Sequence, residues 1–302
     1  MPQDSFSYLI YRDVATVYAQ NGVNGNIDFS SADAAAVIQY AINALPQGGY
    51  IFIKEGTYEL SNKLTITTGS ITLEGQGRGR TILSMTAALP PATEILFINA
   101  PTDSGINHVA LRNFSLKGPG RINNTLQGIK LSKVYRSTIE GVYVSDLGGH
   151  GIEWITGFYN RILHCHVENV GRSDLAISLH DGIYLHNTVN ASEVLHTHVR
   201  QCARAALHVE LATDGVAIIG GSYQSSIYGI QLGQMNNTHL TDVYLEENQQ
   251  DLYVDPGAGN WMDFLTVKGC NSAGGNATVD SVYLDRVRNA VFLGGRCGVH
   301  YK

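Results

Sequence analysis

The sequence predicts an all-β protein: a right-handed parallel β-helix, a solenoid with an N-terminal capping helix. Three observations lead there. Ile139, Ile162, Val194, Ile218, Leu240 and Leu265 open similar apolar stretches, spaced 23, 32, 24, 22 and 25 residues apart. Most are followed by a Gly-Ile-x-Leu-like segment: Gly128 to Leu131, Gly151 to Trp154, Gly182 to Leu185, Ala206 to Val209 and Gly229 to Leu232. A period of roughly 20–30 residues marks a stack of repeated coils. No helical pattern separates successive strands, so equivalent strands one coil apart must run parallel. Parallel crossovers are right-handed in ~98% of cases.

The elements follow in chain order. Residues 1–30 form a lead-in segment. Residues 7–29 alternate loosely and carry Asn-Gly turn signals at 21–22 and 24–25, so a hairpin-like start is expected. Ser31-Ala32-Asp33 then precedes Ala36, Val37, Tyr40, Ala41, Ala44 and Leu45 at helical spacing, and Pro46-Gln47-Gly48-Gly49 ends the run. This predicts a helix at about 33–45, laid over the open end of a β-helix domain spanning 31–302. A solenoid buries apolar surface only against its neighbours, so its end requires a cover. Short β-branched strands come next: 50–53, 57–60, 64–66, 71–73 and 81–83.

Charged residues make up 15% of the chain and the formal net charge is −6, which leaves no basic footprint for nucleic acid. Residues 1–5 show neither a basic start nor an apolar run, so no signal peptide is expected. No stretch approaches ~18 apolar residues, so no membrane-spanning helix is expected. Cys165, Cys202, Cys270 and Cys297 all fall at inward positions of the repeat and read as buried thiols.

The run from Ser31-Ala32-Asp33 through Pro46-Gln47-Gly48-Gly49 to Gly56-Thr57-Tyr58 resembles the N-terminal cap and first coil of the pectate-lyase-like superfamily. The Gly-Ile-x-Leu coils are similar to its β-helix repeats. That superfamily includes polysaccharide lyases, glycoside hydrolases, uronate epimerases and phage tailspikes. The resemblance implies a polysaccharide or oligosaccharide partner and an extracellular, cell-surface or virion location. It also admits a homotrimer. Gly149-His150-Gly151 resembles a Gly-His-Gly piece of polygalacturonase-type hydrolases, but their Asn-Thr-Asp and Asp-Asp motifs are absent, as is the Asp-Pro-His of alginate epimerases.

Equivalent residues of adjacent coils stand ~4.8 Å apart, so outward side chains can be read in columns. One face stacks His164 on His196 and His166 on His198, with Tyr143 below and Ser222, Asp242 and Tyr244 above. This is a secondary surface patch. The other face follows the Gly-Ile-x-Leu strand and reads Lys130, Glu153, Tyr184, His208, Gln231, Tyr253 and Tyr283. Two residues on, the column reads Ser132, Ile155, His186, Glu210, Gly233, Asp255 and Asp285. His150, His180 and Asp181 sit at the turn before it. Insertions at 118–124 and 171–180 fall beside this face, where repeat proteins often place binding loops.

Glu153, Asp181, Tyr184, His208 and Glu210 are the candidate catalytic residues, because carboxylates, imidazoles and phenols are the groups that move protons. Lys130, His150, Arg172, His180, His186, Arg204 and Tyr253 are the candidate substrate-binding residues. Two chemistries fit. In β-elimination on a uronate, His208 would be the base and Tyr184 the acid. Lys130, Arg172, Arg204, or a Ca²⁺ held by Asp181 and Glu210, would offset the substrate carboxylate. In hydrolysis, Glu153 would pair with Glu210, at a spacing near the inverting range of ~6.5–9.5 Å, or with Asp181. A non-catalytic glycan-binding fibre is the third reading.

Overall fold

The computed structural model describes residues 6–85, 93–175, 178–211, 213–273 and 281–296, and the backbone of 299–301. Three parallel sheets run along the stack. One coil illustrates all of them. Arg161–Leu163 lies in the first sheet, His166–Val170 in the second and Ile183–Asn190 in the third. A two-residue turn joins the first sheet to the second, and a loop of variable length joins the second to the third. The predicted parallel β-helix is the observed fold.

Register follows the repeat. Ile139, Ile162, Val194, Ile218 and Leu240 stand in direct opposition along the first sheet. One anchor differs. Leu240 lies opposite Val267, and Leu265 lies opposite Thr238. Leu265 and Val267 both point inward, so an alternating pattern of period 2 cannot tell one from the other.

The core is built of apolar columns. In the third sheet Ile129, Ile152, Ile183, Leu207, Ile230, Leu252 and Val282 stack in opposition, and Leu131, Trp154, Leu185, Val209, Leu232, Val254 and Leu284 form the next column. All are buried. Burying each such side chain contributes about 1.5–3 kcal/mol. Trp154 also satisfies its indole N–H by donating to the Val134 carbonyl at 3.1 Å. The glycine opening each Gly-Ile-x-Leu segment has a steric cause. A Cβ on Gly151 would lie 2.6 Å from the Gly182 carbonyl oxygen, and one on Gly182 would lie 2.5 Å from that of Ala206. Cys165, Cys202 and Cys270 are buried, while Cys297 lies outside the described residues.

The lead-in strands Tyr8–Asp13, Thr16–Asn21 and Ile27–Ser31 pair antiparallel with one another, and Tyr8–Asp13 pairs parallel with Gly49–Ile53. They therefore extend the first sheet. The helix spans Ala34–Asn43, and the Asp33 side chain caps it by accepting from Ala35 N at 3.0 Å. Its face of Ala34, Ala35, Val37, Ile38, Ala41 and Ile42 is buried on the end of the stack. No helix among the described residues is long and apolar enough to cross a membrane.

Candidate functional site

The third sheet presents Lys130, Glu153, Tyr184, His208, Gln231, Tyr253 and Tyr283 as one outward column, each opposite the next. His186 stands opposite Ile155 in the neighbouring column. Glu210 follows it one coil on, its N–H donating to the Leu185 carbonyl at 3.0 Å.

Asp181 is the buried hub. It is 0% exposed. Its Oδ1 accepts from Arg204 Nε at 2.8 Å and from Ala205 N at 3.0 Å. Its Oδ2 accepts from Arg204 Nη2 and lies 3.2 Å from His208 Nδ1. A buried charge is tolerated when paired and hydrogen-bonded, and the planar guanidinium meets the carboxylate with two donors. Burial opposes the Asp181 charge, but Arg204 and His208 outweigh it and hold the carboxyl below its usual range. The Asp181 N–H donates to His150 Nδ1 at 3.0 Å. That bond makes Nδ1 the acceptor, and burial pushes His150 down to about 4, so its imidazole is neutral at pH 7.

His208 is 1% exposed and lies between two carboxylates, with Nε2 3.4 Å from Glu210 Oε2. Burial works against its charge, yet Asp181 and Glu210 prevail and raise its pKa. Glu210 is lowered to about 2, first by His208, against burial, and then by the Tyr184 hydroxyl that donates to it. Burial and the Glu210 charge raise Tyr184, which therefore keeps its proton.

The Tyr184 ring is the centre of a stack. Its centroid lies 4.1 Å from His186, 4.8 Å from His208 and 5.1 Å from His150. His186 Nε2 is 3.1 Å from Glu153 Oε1, and Lys130 Nζ is 3.0 Å from Glu153 Oε2. Burial favours the neutral form of Glu153, but His186 and Lys130 bring it down to about 2. An ionised Glu153 is placed to accept from His186 Nε2–H.

The structure thus brings together Lys130, His150, Glu153, Asp181, Tyr184, His186, Arg204, His208 and Glu210. His180 stands at the rim, its ring 5.1 Å from His150, and burial lowers its pKa. Arg172 lies off the hydrogen-bonded network and pairs with Asp174, Nε to Oδ1 at 2.7 Å. Tyr253 lies two coils above His208, stacked 4.6 Å from Tyr228 and 5.1 Å from Tyr283. A Ca²⁺ shared by Asp181 and Glu210 does not fit. The Arg204 guanidinium already covers the Asp181 carboxylate, and Glu210 is engaged by His208 and Tyr184.

The two insertions meet beside this face. Arg121 donates through Nε to the Gly171 carbonyl at 2.7 Å and through Nη1 to Asn169 Oδ1 at 3.3 Å. Ala176 and Ile177 of the second insertion lie outside the described residues. The four histidines of the secondary surface patch divide into two kinds. His164 and His196 occupy the two-residue turn with φ of 52° and 46°, and their rings stack at 5.8 Å. His166 and His198 lie on the second sheet proper. Reading columns for rings alone misses Glu168 and Arg200 there, although alternation places both outward, two residues beyond His166 and His198.

No family model matches the chain. A capsule KN3-specific depolymerase of Klebsiella phage KN3-1 is 24% identical over 180 residues, covering 57% of this chain and 22% of that protein. The matched segment is thus well under half of that relative. Among solved structures, the ORF18 protein of Geobacillus virus E2 superposes with a TM-score of 0.65 at 14% identity, over 96% of this chain and 69% of that one. The A-module of a mannuronan C-5 epimerase from Azotobacter vinelandii gives 0.55 at 15% identity, over 89% and 92%. An alginate lyase from Paenibacillus sp. gives 0.53 at 14%, over 89% and 95%. Pectate lyase and polygalacturonase structures are also among the neighbours, and the chain shares the parallel β-helix fold with them.

Proposed function

We propose that the protein cleaves a uronate-containing polysaccharide by β-elimination at the third-sheet site. The observation that carries this reading is the adjacency of two differently equipped groups: Tyr184 with its hydroxyl on Glu210, and His186 with Nε2 on Glu153. His186 Nδ1 takes the proton next to the substrate carboxylate. The C–H electrons form the carbon–carbon double bond, the bond to the glycosidic oxygen breaks, and Tyr184 donates its proton to that oxygen. Glu153 orients the base, as a third group orients the base in a triad. His208, sealed between Asp181 and Glu210, is a positioning residue that holds Glu210 and the Tyr184 ring. Lys130, partly exposed beside its partner Glu153, is the cation assigned to the substrate carboxylate.

Hydrolysis by paired carboxylates has less support. It requires one carboxyl to be protonated as general acid. Glu153 and Glu210 are both lowered to about 2, and Asp181 is held by Arg204. The names of relatives from phages, together with a tailspike protein of the same fold, support a place on a virion or outside a cell, with a homotrimer as the assembly to test by light scattering.

The test is incubation with polymannuronate, polygalacturonate, a glucuronate-bearing capsule and a neutral glucan. Ultraviolet absorbance from an unsaturated uronate end is expected with an acidic polymer. New reducing ends without that absorbance would replace elimination with hydrolysis. Binding without any product would leave a glycan-binding protein.

A further inference from the structure

The second sheet carries a Tyr–His–Glu unit built like the one on the third. Tyr143 stands opposite His166 of the next coil, and Glu168, two residues beyond His166, accepts the Tyr143 hydroxyl. On the third sheet Tyr184 stands opposite His208, and Glu210, two residues beyond it, accepts the Tyr184 hydroxyl. The surroundings differ. His208 is sealed and backed by Asp181. On the second sheet Glu168 also meets His166 Nε2 at 3.2 Å and Arg200 Nε at 2.6 Å, so its oxygens are committed to three donors. Burial lowers the His166 pKa, against the pull of Glu168. Such a network holds hydroxyl groups in place rather than relaying protons.

The unit does not stand alone. The columns Thr57, Ile82, Ser115, Tyr143 and Glu59, Ser84, Lys117, Ser145, Glu168 continue below it on the same face. Thr57, Glu59, Ile82, Ser84 and Lys117 of these columns line a cleft of about 540 Å³ together with Pro119, Gly120 and Asp146. That volume falls within the ~300–1,000 Å³ of small-molecule sites. Lys117 Nζ and Asp146 Oδ2 lie 4.0 Å apart, a donor beside an acceptor, which suits neighbouring sugar hydroxyls. Above, His198 Nδ1 is 2.8 Å from Ser222 Oγ, and Tyr244 exposes its ring. Pro119 and Gly120 belong to the insertion whose Arg121 is tied to Gly171 beside the third-sheet site. One loop therefore borders both this cleft and the third-sheet site.

We propose that the second-sheet groove, from Glu59 up to His198, is a separate saccharide-binding site that holds a non-reacting stretch of polymer. The proposal rests on the carbohydrate reading of the protein given above. Saccharides present hydroxyl edges and apolar ring faces, and this groove offers charged partners for the first and exposed rings for the second.

The test compares three full-length proteins: wild type, the double variant Lys117→Ala/His198→Ala, and Tyr184→Phe. Each is titrated with the same acidic polysaccharides and oligosaccharides in a calorimeter, and thermal melting checks that each is folded. The double variant is expected to bind polymer about tenfold more weakly. It should retain wild-type turnover of short oligosaccharides. Polymer affinity unchanged within about twofold in the double variant, with binding altered only in Tyr184→Phe, overturns the second groove and leaves the third-sheet function standing. If no saccharide binds the wild type, both readings fall together.

Discussion

Tyr184 and His186 lie on one strand with ring centroids 4.1 Å apart and planes 15° from parallel. Residues i and i+2 of a strand share a face, and here each ring carries its own carboxylate, Glu210 for the phenol and Glu153 for the imidazole. In the proposed elimination, groups at that separation reach the proton on one carbon and the oxygen leaving the next.

Removing either group separates chemistry from binding. Tyr184→Phe and His186→Ala are each expected to lower kcat by about 10²–10⁴, the usual contribution of a positioned acid or base, with KM changed far less. Steady-state kinetics on the preferred polymer, read alongside melting curves, checks this. Full turnover in both variants would remove the site assignment.

Asp181 has a different role, because it neutralises buried charge. Asp181→Asn leaves Arg204 without its carboxylate in a half-buried position, and breaking such a pair costs about 3–5 kcal/mol. A clear fall in the melting temperature is expected, together with lost activity. Asp181→Asn combined with Arg204→Met should recover part of the stability and none of the activity. A double variant no more stable than the single one would contradict the pairing argument.

The pH dependence of stability has a definite sign. His150 is lowered from 6.5 to about 4 by burial. As pH falls through that window the unfolded chain takes up the proton and the folded chain does not, so stability decreases. Glu153 and Glu210, lowered from 4.5 to about 2, extend the loss to lower pH. His208 acts oppositely. Its raised pKa gives a contribution that is complete below 6.5 and fades as pH rises through the raised value. Melting temperatures measured from pH 8 to 4 should therefore drop on the acid side, and His150→Gln should flatten the part between 6.5 and 4. An unaltered slope in that variant would assign the loss to other groups.

The glycine ladder can be tested at a position away from the reacting groups. Gly229→Val places a Cβ 2.7 Å from the Asp251 carbonyl oxygen. Overpacking of this kind costs about 1–3 kcal/mol, measurable in a denaturant titration. A neutral result would mean that the coils separate more easily than their spacing indicates.

The outward columns of the third sheet are legible in the sequence because Gly-Ile-x-Leu fixes three inward or close-packed positions out of four. Only one residue per segment, such as Glu153 or Tyr184, is left to face out. Burial within the column is not legible. His208 points outward by alternation yet is 1% exposed, because neighbouring side chains cover it, and their rotamers leave no mark on the repeat. The same limit hides Arg121, whose bond to Gly171 joins residues 50 apart through two loops of irregular length. At Leu265 and Val267 the pattern is ambiguous in itself, since both are apolar and inward.

Under the proposed function, the vertical file from Lys130 to Tyr283 would act as a ruler. Six rises of one coil give a track about 29 Å long, several times the size of a monosaccharide. A short oligomer placed at Tyr184 leaves most of that track empty, whereas a longer one touches rungs such as Tyr253 that take no part in bond breaking. Turnover should therefore climb with each added sugar unit until the track is filled, and then level off.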